Sequence, residues 1–241
     1  MQNYHVETFP VGALQCNCSL LINSKSSQMI VVDPGDEAKK IFERIVYHKS
    51  TVKALWHTHA HLDHIGATQE LYNSLCDWNQ KNNAEKPIVY LSKQDHWLYE
   101  NVAIQAQMLG MGNVVVPKEY SDIKHGQVYE GFEGASSLFT PGHTPGSCCL
   151  HVQGKSDLFV PQNFKERGEV DSLPTILFSG DTLFKRSIGR TDLWGGDSNL
   201  ISKSIKNKIY TLSEETIVIP GHGPLTSVEM EKKKNPFVSA S

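Results

Sequence analysis

No stretch of the 241 residues approaches the roughly 18 consecutive apolar side chains that a membrane-spanning helix needs. The opening MQNYHVETFP has no basic region followed by an apolar one, so no secretory signal is read and a cytoplasmic location is predicted. Charge of one sign is also lacking. The 23 Lys and Arg face 26 Asp and Glu, for a net charge of −3, so no field gathers nucleic acid or anionic membrane. None of the five cysteines (Cys16, Cys18, Cys76, Cys148 and Cys149) forms a C-x-x-C, and the odd count predicts reduced thiols rather than a disulfide framework. Low-complexity tracts and short-period repeats are missing. With 39% apolar and 20% charged residues, composition excludes disorder. A chain of this length is compatible with a single domain, and we expect one over 1–241.

What is present is an alternation of strand and helix patterns. Strands are predicted at 12–22, 28–33, 52–57, 87–92, 114–116, 137–140, 148–153, 175–179 and 216–220. Helical periodicity covers 37–48, 64–78, 93–109 and 198–211, with Asp197 and Ser198 as an N-terminal cap. This alternation predicts an α/β architecture. Residues 154–174 are polar and contain Pro161 and Pro174; they read as a surface insertion between two strands. The Lys232-Lys233-Lys234 run reads as a solvated face.

Histidine is concentrated. Four of the 11 histidines fall within residues 57–64, His-Thr-His-Ala-His-Leu-Asp-His. The cluster follows an apolar strand, at the end where α/β folds place their sites. Imidazole and carboxylate are the ligands of zinc and similar divalent ions. Three more ligand types sit in glycine- and proline-rich turns, each after an expected strand. They are His143 in Pro-Gly-His-Thr-Pro-Gly, Asp181 in Phe-Ser-Gly-Asp-Thr, and His222 in Pro-Gly-His-Gly-Pro.

These motifs resemble the metallo-β-lactamase fold superfamily, and within it the glyoxalase-II-like (hydroxyacylglutathione hydrolase-like) enzymes. Asn-Cys-Ser at 17–19, Val-Asp-Pro-Gly at 32–35, Ile-Gly-Arg-Thr-Asp at 188–192 and Asn-Pro-Phe at 235–237 are similar to that family as well. The resemblance implies a four-layer αβ/βα sandwich with two divalent metal ions, zinc first, with iron or manganese as alternatives. It implies that His59, His61 and His143 hold the first metal, that Asp63, His64 and His222 hold the second, and that Asp181 bridges them. His57 reads as a supporting residue. Arg190 matches a position that contacts glutathione in the long enzymes, but Asp192 stands where those have tyrosine. Only 19 residues follow His222, so the short branch without a helical C-terminal domain is expected.

The implied activity is hydrolysis of a small thioester such as S-lactoylglutathione, with Asp63 and Asp181 as catalytic ligands. A thiol of pKa about 8.5 leaves as thiolate without a strong general acid. Two rivals share the motifs. A persulfide dioxygenase would use one iron on His59, His143 and Asp181, but that family tends to read Pro-Ala-His-Asp where this chain reads Pro-Gly-His-Gly. A lactone or phosphodiester hydrolase would use both metals.

Overall fold

The computed structural model describes residues 3–159 and 170–239. Its first half runs β1 (Asn3–Val11), β2 (Cys16–Asn23), β3 (Gln28–Val32), α1 (Ala38–Tyr47), β4 (Thr51–Trp56), α2 (Leu62–Ile65), α3 (Thr68–Lys81), β5 (Ile88–Leu91), α4 (His96–Glu100), α5 (Val102–Met108) and β6 (Ser121–Asp122). The second half runs β7 (Val128–Tyr129), β8 (Phe132–Phe139), β9 (Cys148–Phe159), β10 (Val170–Gly180), the hairpin β11 (Leu183–Phe184) and β12 (Ser187–Ile188), α6 (Ser198–Ser204), β13 (Ile217–Pro220), β14 (Thr226–Ser227) and α7 (Val228–Lys234).

The layers follow from where apolar side chains fall. On α1, Ala38, Ile41 and Ile45 are buried at helical spacing. With Leu71 and Leu75 of α3 they pack on the outer face of the sheet β1–β6. Between the sheets, Tyr4, Leu21, Ile30 and Trp56 meet Phe132, Leu150, Ile176 and Ile219. The Trp56 Nε1–H donates to the Tyr129 hydroxyl at 2.6 Å, so the indole carries no unpaired polar atom into that interior. Behind the second sheet, Leu177 and Val218 pack on Ile201 of α6, on Ile205 in the helical turn that follows it and on Val228 of α7. Helix, sheet, sheet, helix is the expected αβ/βα sandwich.

Several expectations need correction. β1 lies outside the predicted strands, because Glu7 and Pro10 interrupt its apolar content, although the alternation Asn3-Tyr4-His5-Val6 carries the strand signal. Glu7 is tolerated inside because Arg44 donates to both of its oxygens, at 2.8 and 3.1 Å. The second strand begins at Cys16, since 12–15 turn, with Gly12 at φ 67°. Residues 114–116 form no strand; Val114 and Val116 pack on the first core as an irregular connection. The stretch 93–109 is broken by Asn101, whose side-chain amide donates to the Trp97 carbonyl.

The expected insertion is partly regular. Residues 154–159 prolong β9 and 170–174 prolong β10; 160–169 lie outside the described residues. β1 is the reason, pairing in parallel with the prolonged β9 from Asn3↔Lys155 to Glu7↔Phe159. It pairs with β2 on its other side and so joins the two halves into one hydrogen-bonded sheet. The Asp197 cap is as expected, accepting from the Asn199 and Leu200 amides at 2.9 Å. All five cysteines are free thiols. No helix among the described residues is long and apolar enough to cross a membrane.

Candidate metal centre

The seven singled-out side chains come from four places and meet at one edge of the sandwich. His59 and His61 lie just after β4, and Asp63 and His64 lie on α2. His143 follows β8, Asp181 follows β10 and His222 follows β13. β4 runs parallel to β3 and β5, and β13 runs parallel to β10, so the carboxyl ends of these strands deliver their turns to the same rim.

Two glycines let the loops close. A Cβ on Gly221 would fall 2.2 Å from Asp181 Oδ1 and 2.7 Å from His64 Cε1. One on Gly35 would fall 1.6 Å from the Asp63 carbonyl oxygen. Any side chain at either position would push the clustered residues apart.

The nitrogens and oxygens fall into adjoining sets. His61 Nδ1 lies 3.1 Å from His59 Nε2 and 2.9 Å from His143 Nε2. Beside them, His64 Nε2 lies 3.3 Å from His222 Nε2, and Asp63 Oδ2 lies 3.0 Å from the same His222 nitrogen. Asp181 stands between, with Oδ2 3.6 Å from His143 Nε2 and Oδ1 3.4 Å from His64 Nε2. All seven expected residues are therefore together.

Their partners set the tautomers. His143 Nδ1 donates to the Arg190 carbonyl at 2.8 Å, and His222 Nδ1 donates to the Leu14 carbonyl at 3.0 Å. His64 Nδ1 donates to Asp33 Oδ2 at 2.9 Å. The Thr58 hydroxyl donates to the same Asp33 oxygen, which leaves its own oxygen free to accept from His59 Nδ1 at 3.1 Å. In each of the four rings the proton is turned outward, and the Nε2 lone pair faces the cluster. Bare nitrogens about 3 Å apart repel unless a cation sits among them. Asp181 Oδ1 is likewise buried without a hydrogen-bond partner. This donor set fits divalent metal ions, and imidazole with carboxylate suits zinc, iron or manganese alike.

Burial pushes the His59 imidazole well below its usual pKa, and the neighbouring His64, His143 and His61 push the same way. His61 is carried down to about 4, by burial first and then by His143 and His64. Burial alone would raise the Asp181 carboxyl, but His64, His143 and His222 outweigh it and hold it lowered. Asp63 is lowered against burial in the same way, by His64 and His222. His59 and His61 are thus neutral donors and the two carboxyls anions, the forms that bind metal; His64 and His222 are pushed up instead, the acidic groups around them outweighing burial, so a cation there competes with a proton.

Supporting residues were harder to read. His57 is buried at its expected place, donating to the Tyr90 carbonyl and accepting from the Thr68 hydroxyl, each at 2.9 Å. Asp33 carries more than its Val-Asp-Pro-Gly motif disclosed. It takes the left-handed conformation at φ 53° and also accepts the Thr58 amide. Asn17 clamps the final turn. Its side-chain amide donates to the Pro220 and Gly223 carbonyls, both at 2.9 Å, and its backbone amide donates to Gly221 at 2.7 Å. Asn17→Ala should destabilise the fold by about 1–3 kcal/mol, since buried carbonyls lose their donor. Bound metal should fall as His222 drifts. Urea unfolding with metal analysis checks this, and wild-type values in both would show that the turn holds itself.

Arg190 lies at the rim, but its side chain is exposed and closed onto Asp192 through two 2.7 Å hydrogen bonds. Its backbone carbonyl, not its guanidinium, touches the cluster. Trp194 is half-buried against the first core. The Phe184 ring, which the motifs did not single out, stands 6.4 Å from the His222 ring.

The sequence pattern of the Metallo-beta-lactamase superfamily matches residues 11–160. That span holds His59 to His143; Asp181 and His222 lie beyond it. The Hydroxyacylglutathione hydrolase GloC of Haemophilus influenzae is 32% identical over 240 residues, covering 98% of this chain and 99% of that protein. The crystal structure of the BLEG-1 B3 metallo-beta-lactamase superposes with a TM-score of 0.76 at 32% identity, covering 97% of this chain and 99% of the other. That of TTHA1623 in a di-iron-bound form gives 0.76 at 31% identity, over 95% and 100%. Since the pattern covers more than half of the sequence and these relatives span nearly all of it, the chain belongs to the metallo-β-lactamase superfamily.

Proposed function

We propose that this metal-dependent hydrolase holds two divalent ions and cleaves a small thioester such as S-lactoylglutathione into a carboxylic acid and a thiol. The observation that carries the reading is the placement of Asp181, one oxygen toward His143 and the other toward His64. His59, His61 and His143 would hold one ion, and Asp63, His64 and His222 the other. Two ions held by these residues would supply a hydroxide nucleophile near neutral pH and polarise the carbonyl under attack.

The chain's own residues do the rest. Asp63, held as an anion, orients the nucleophile from the side of His222. Asp33, Thr58 and the Arg190 and Leu14 carbonyls keep the imidazoles from turning. Asp33, the further acid joined to the cluster, is tied to the outward nitrogen of His64 and to Thr58, away from the nitrogens that face the site, which suits a thiolate leaving group better than an amide nitrogen. Arg190 would release Asp192 to meet a substrate carboxylate, consistent with a glutathione-derived thioester. The GloC relative is called a hydroxyacylglutathione hydrolase, which favours the same substrate class.

The dioxygenase reading needs only His59, His143 and Asp181. The second set beside them, with His64, His222 and Asp63 within 3.8 Å of one another, favours the hydrolase. Metal-quantified protein should release thiol from S-lactoylglutathione with about two metals per chain, as this reading requires. Oxygen uptake on glutathione persulfide with one iron would replace it with the dioxygenase.

A further inference from the structure

Asp95 belongs to neither ligand set, yet it touches the loops that carry all three histidines of the first. It ends the single helical turn between β5 and α4 and is fully buried. Its Oδ2 accepts the Ala60 amide at 3.1 Å and the Thr144 hydroxyl at 2.8 Å. Its Oδ1 accepts the Gly146 amide at 2.7 Å. Ala60 lies between His59 and His61, and Thr144 directly follows His143. One carboxylate therefore fastens two loops from opposite sheets.

The surroundings are shaped around this group. A Cβ on Gly146 would fall 2.5 Å from the Asp95 carboxyl carbon, so only glycine admits the contact. Gln105 braces the other side, donating to the Ala60 carbonyl and accepting the Leu62 amide, both at 3.0 Å.

The charge is the unusual part. Every hydrogen-bond donor that Asp95 receives is neutral, and no lysine or arginine pairs with it among the described residues. Burial pushes its carboxyl pKa up, and the hydrogen bonds from Thr144, Gly146 and Ala60 do not outweigh burial. A buried anion with no cationic partner is costly. The place where a compensating cation would lie is the socket of His59, His61 and His143.

We propose that Asp95 is a positioning residue for the first metal. It presets the three imidazoles as a socket, and its uncompensated charge strengthens the socket's hold on a cation. This rests on the reading of that set as a metal site.

The test is Asp95→Asn, which keeps the shape but removes the charge and turns an amide donor toward a donor. Metal-depleted wild type and variant are titrated with Zn²⁺ against a competing chromophoric chelator, with no activity readout needed. Wild type should bind two equivalents. The variant should hold one of them roughly 10- to 100-fold more weakly, the usual effect of outer-shell changes. In Co²⁺-loaded protein, the weakened equivalent should be the one whose absorption is missing in His61→Ala.

Thr144→Val keeps the charge and removes one hydrogen bond, so it should weaken the same equivalent by less; it decides the matter if Asp95→Asn does not fold. Wild-type affinity for both equivalents in the variants would overturn the proposal while leaving the metal reading intact. A wild-type protein that takes up no metal would overturn both.

Discussion

Asp181→Asn is expected to lower kcat/KM for thioester hydrolysis by at least about a thousandfold, near 4 kcal/mol of transition-state stabilisation. The substitution removes almost no volume, so the fold should survive with an unchanged far-ultraviolet spectrum. What goes is a carboxylate that reaches both histidine sets, at 3.6 Å from His143 and 3.4 Å from His64. An amide there presents at most one oxygen, and its NH₂ faces imidazole lone pairs or a metal. Metal content should fall from about two ions per chain to one or fewer. A variant that keeps two metals and a tenth of the activity would show that Asp181 is not the bridge, and the ligand assignment would have to be redrawn.

Metal removal should also cost thermal stability. The cluster is inside the protein, with His59 and His64 almost wholly buried. Without a cation, bare nitrogens stand 2.9–3.1 Å apart and the Asp181 Oδ1 atom is left without a partner. At free metal about a thousandfold above its dissociation constant, one site adds about 4.1 kcal/mol to the native state. In a protein of this size each kcal/mol shifts Tm by about 2–4 °C, so the metal-free form should melt roughly 8–16 °C lower. Calorimetry on chelator-treated, dialysed protein measures the shift, and zinc should restore it. Equal Tm values would mean that the cluster is held by its hydrogen bonds alone.

The candidate ligands were legible because their chemistry is local in sequence. His59 to His64 announce themselves by density, and His143, Asp181 and His222 by the Pro-Gly and Ser-Gly turns around them. The sandwich could be read from alternating strand and helix patterns together with those motifs. The supporting residues were less visible. Asn17, Asp33 and Asp95 act through backbone groups of distant loops: Asn17 on Pro220, Asp33 on Thr58, Asp95 on Ala60 and Gly146. A polar residue whose partner lies tens or hundreds of positions away carries no periodic signal. The β1 strand and the 154–174 segment failed together, and for one reason. Asn3 to Glu7 pair with Lys155 to Phe159, and a partner about 150 positions away leaves no local signal in either stretch.

That seam bears on how the centre is assembled. β1 meets β9 in parallel with more than 140 residues between them, and pairings of such sequence separation form slowly because a long loop must close first. During synthesis, His59, His61, Asp63 and His64 emerge well before His143, Asp181 and His222. Until the second half has docked, the early residues supply only part of the proposed ligand set. On the proposed ligand assignment, ion selection would thus be a late event in folding, made by the closed sandwich rather than by the nascent chain.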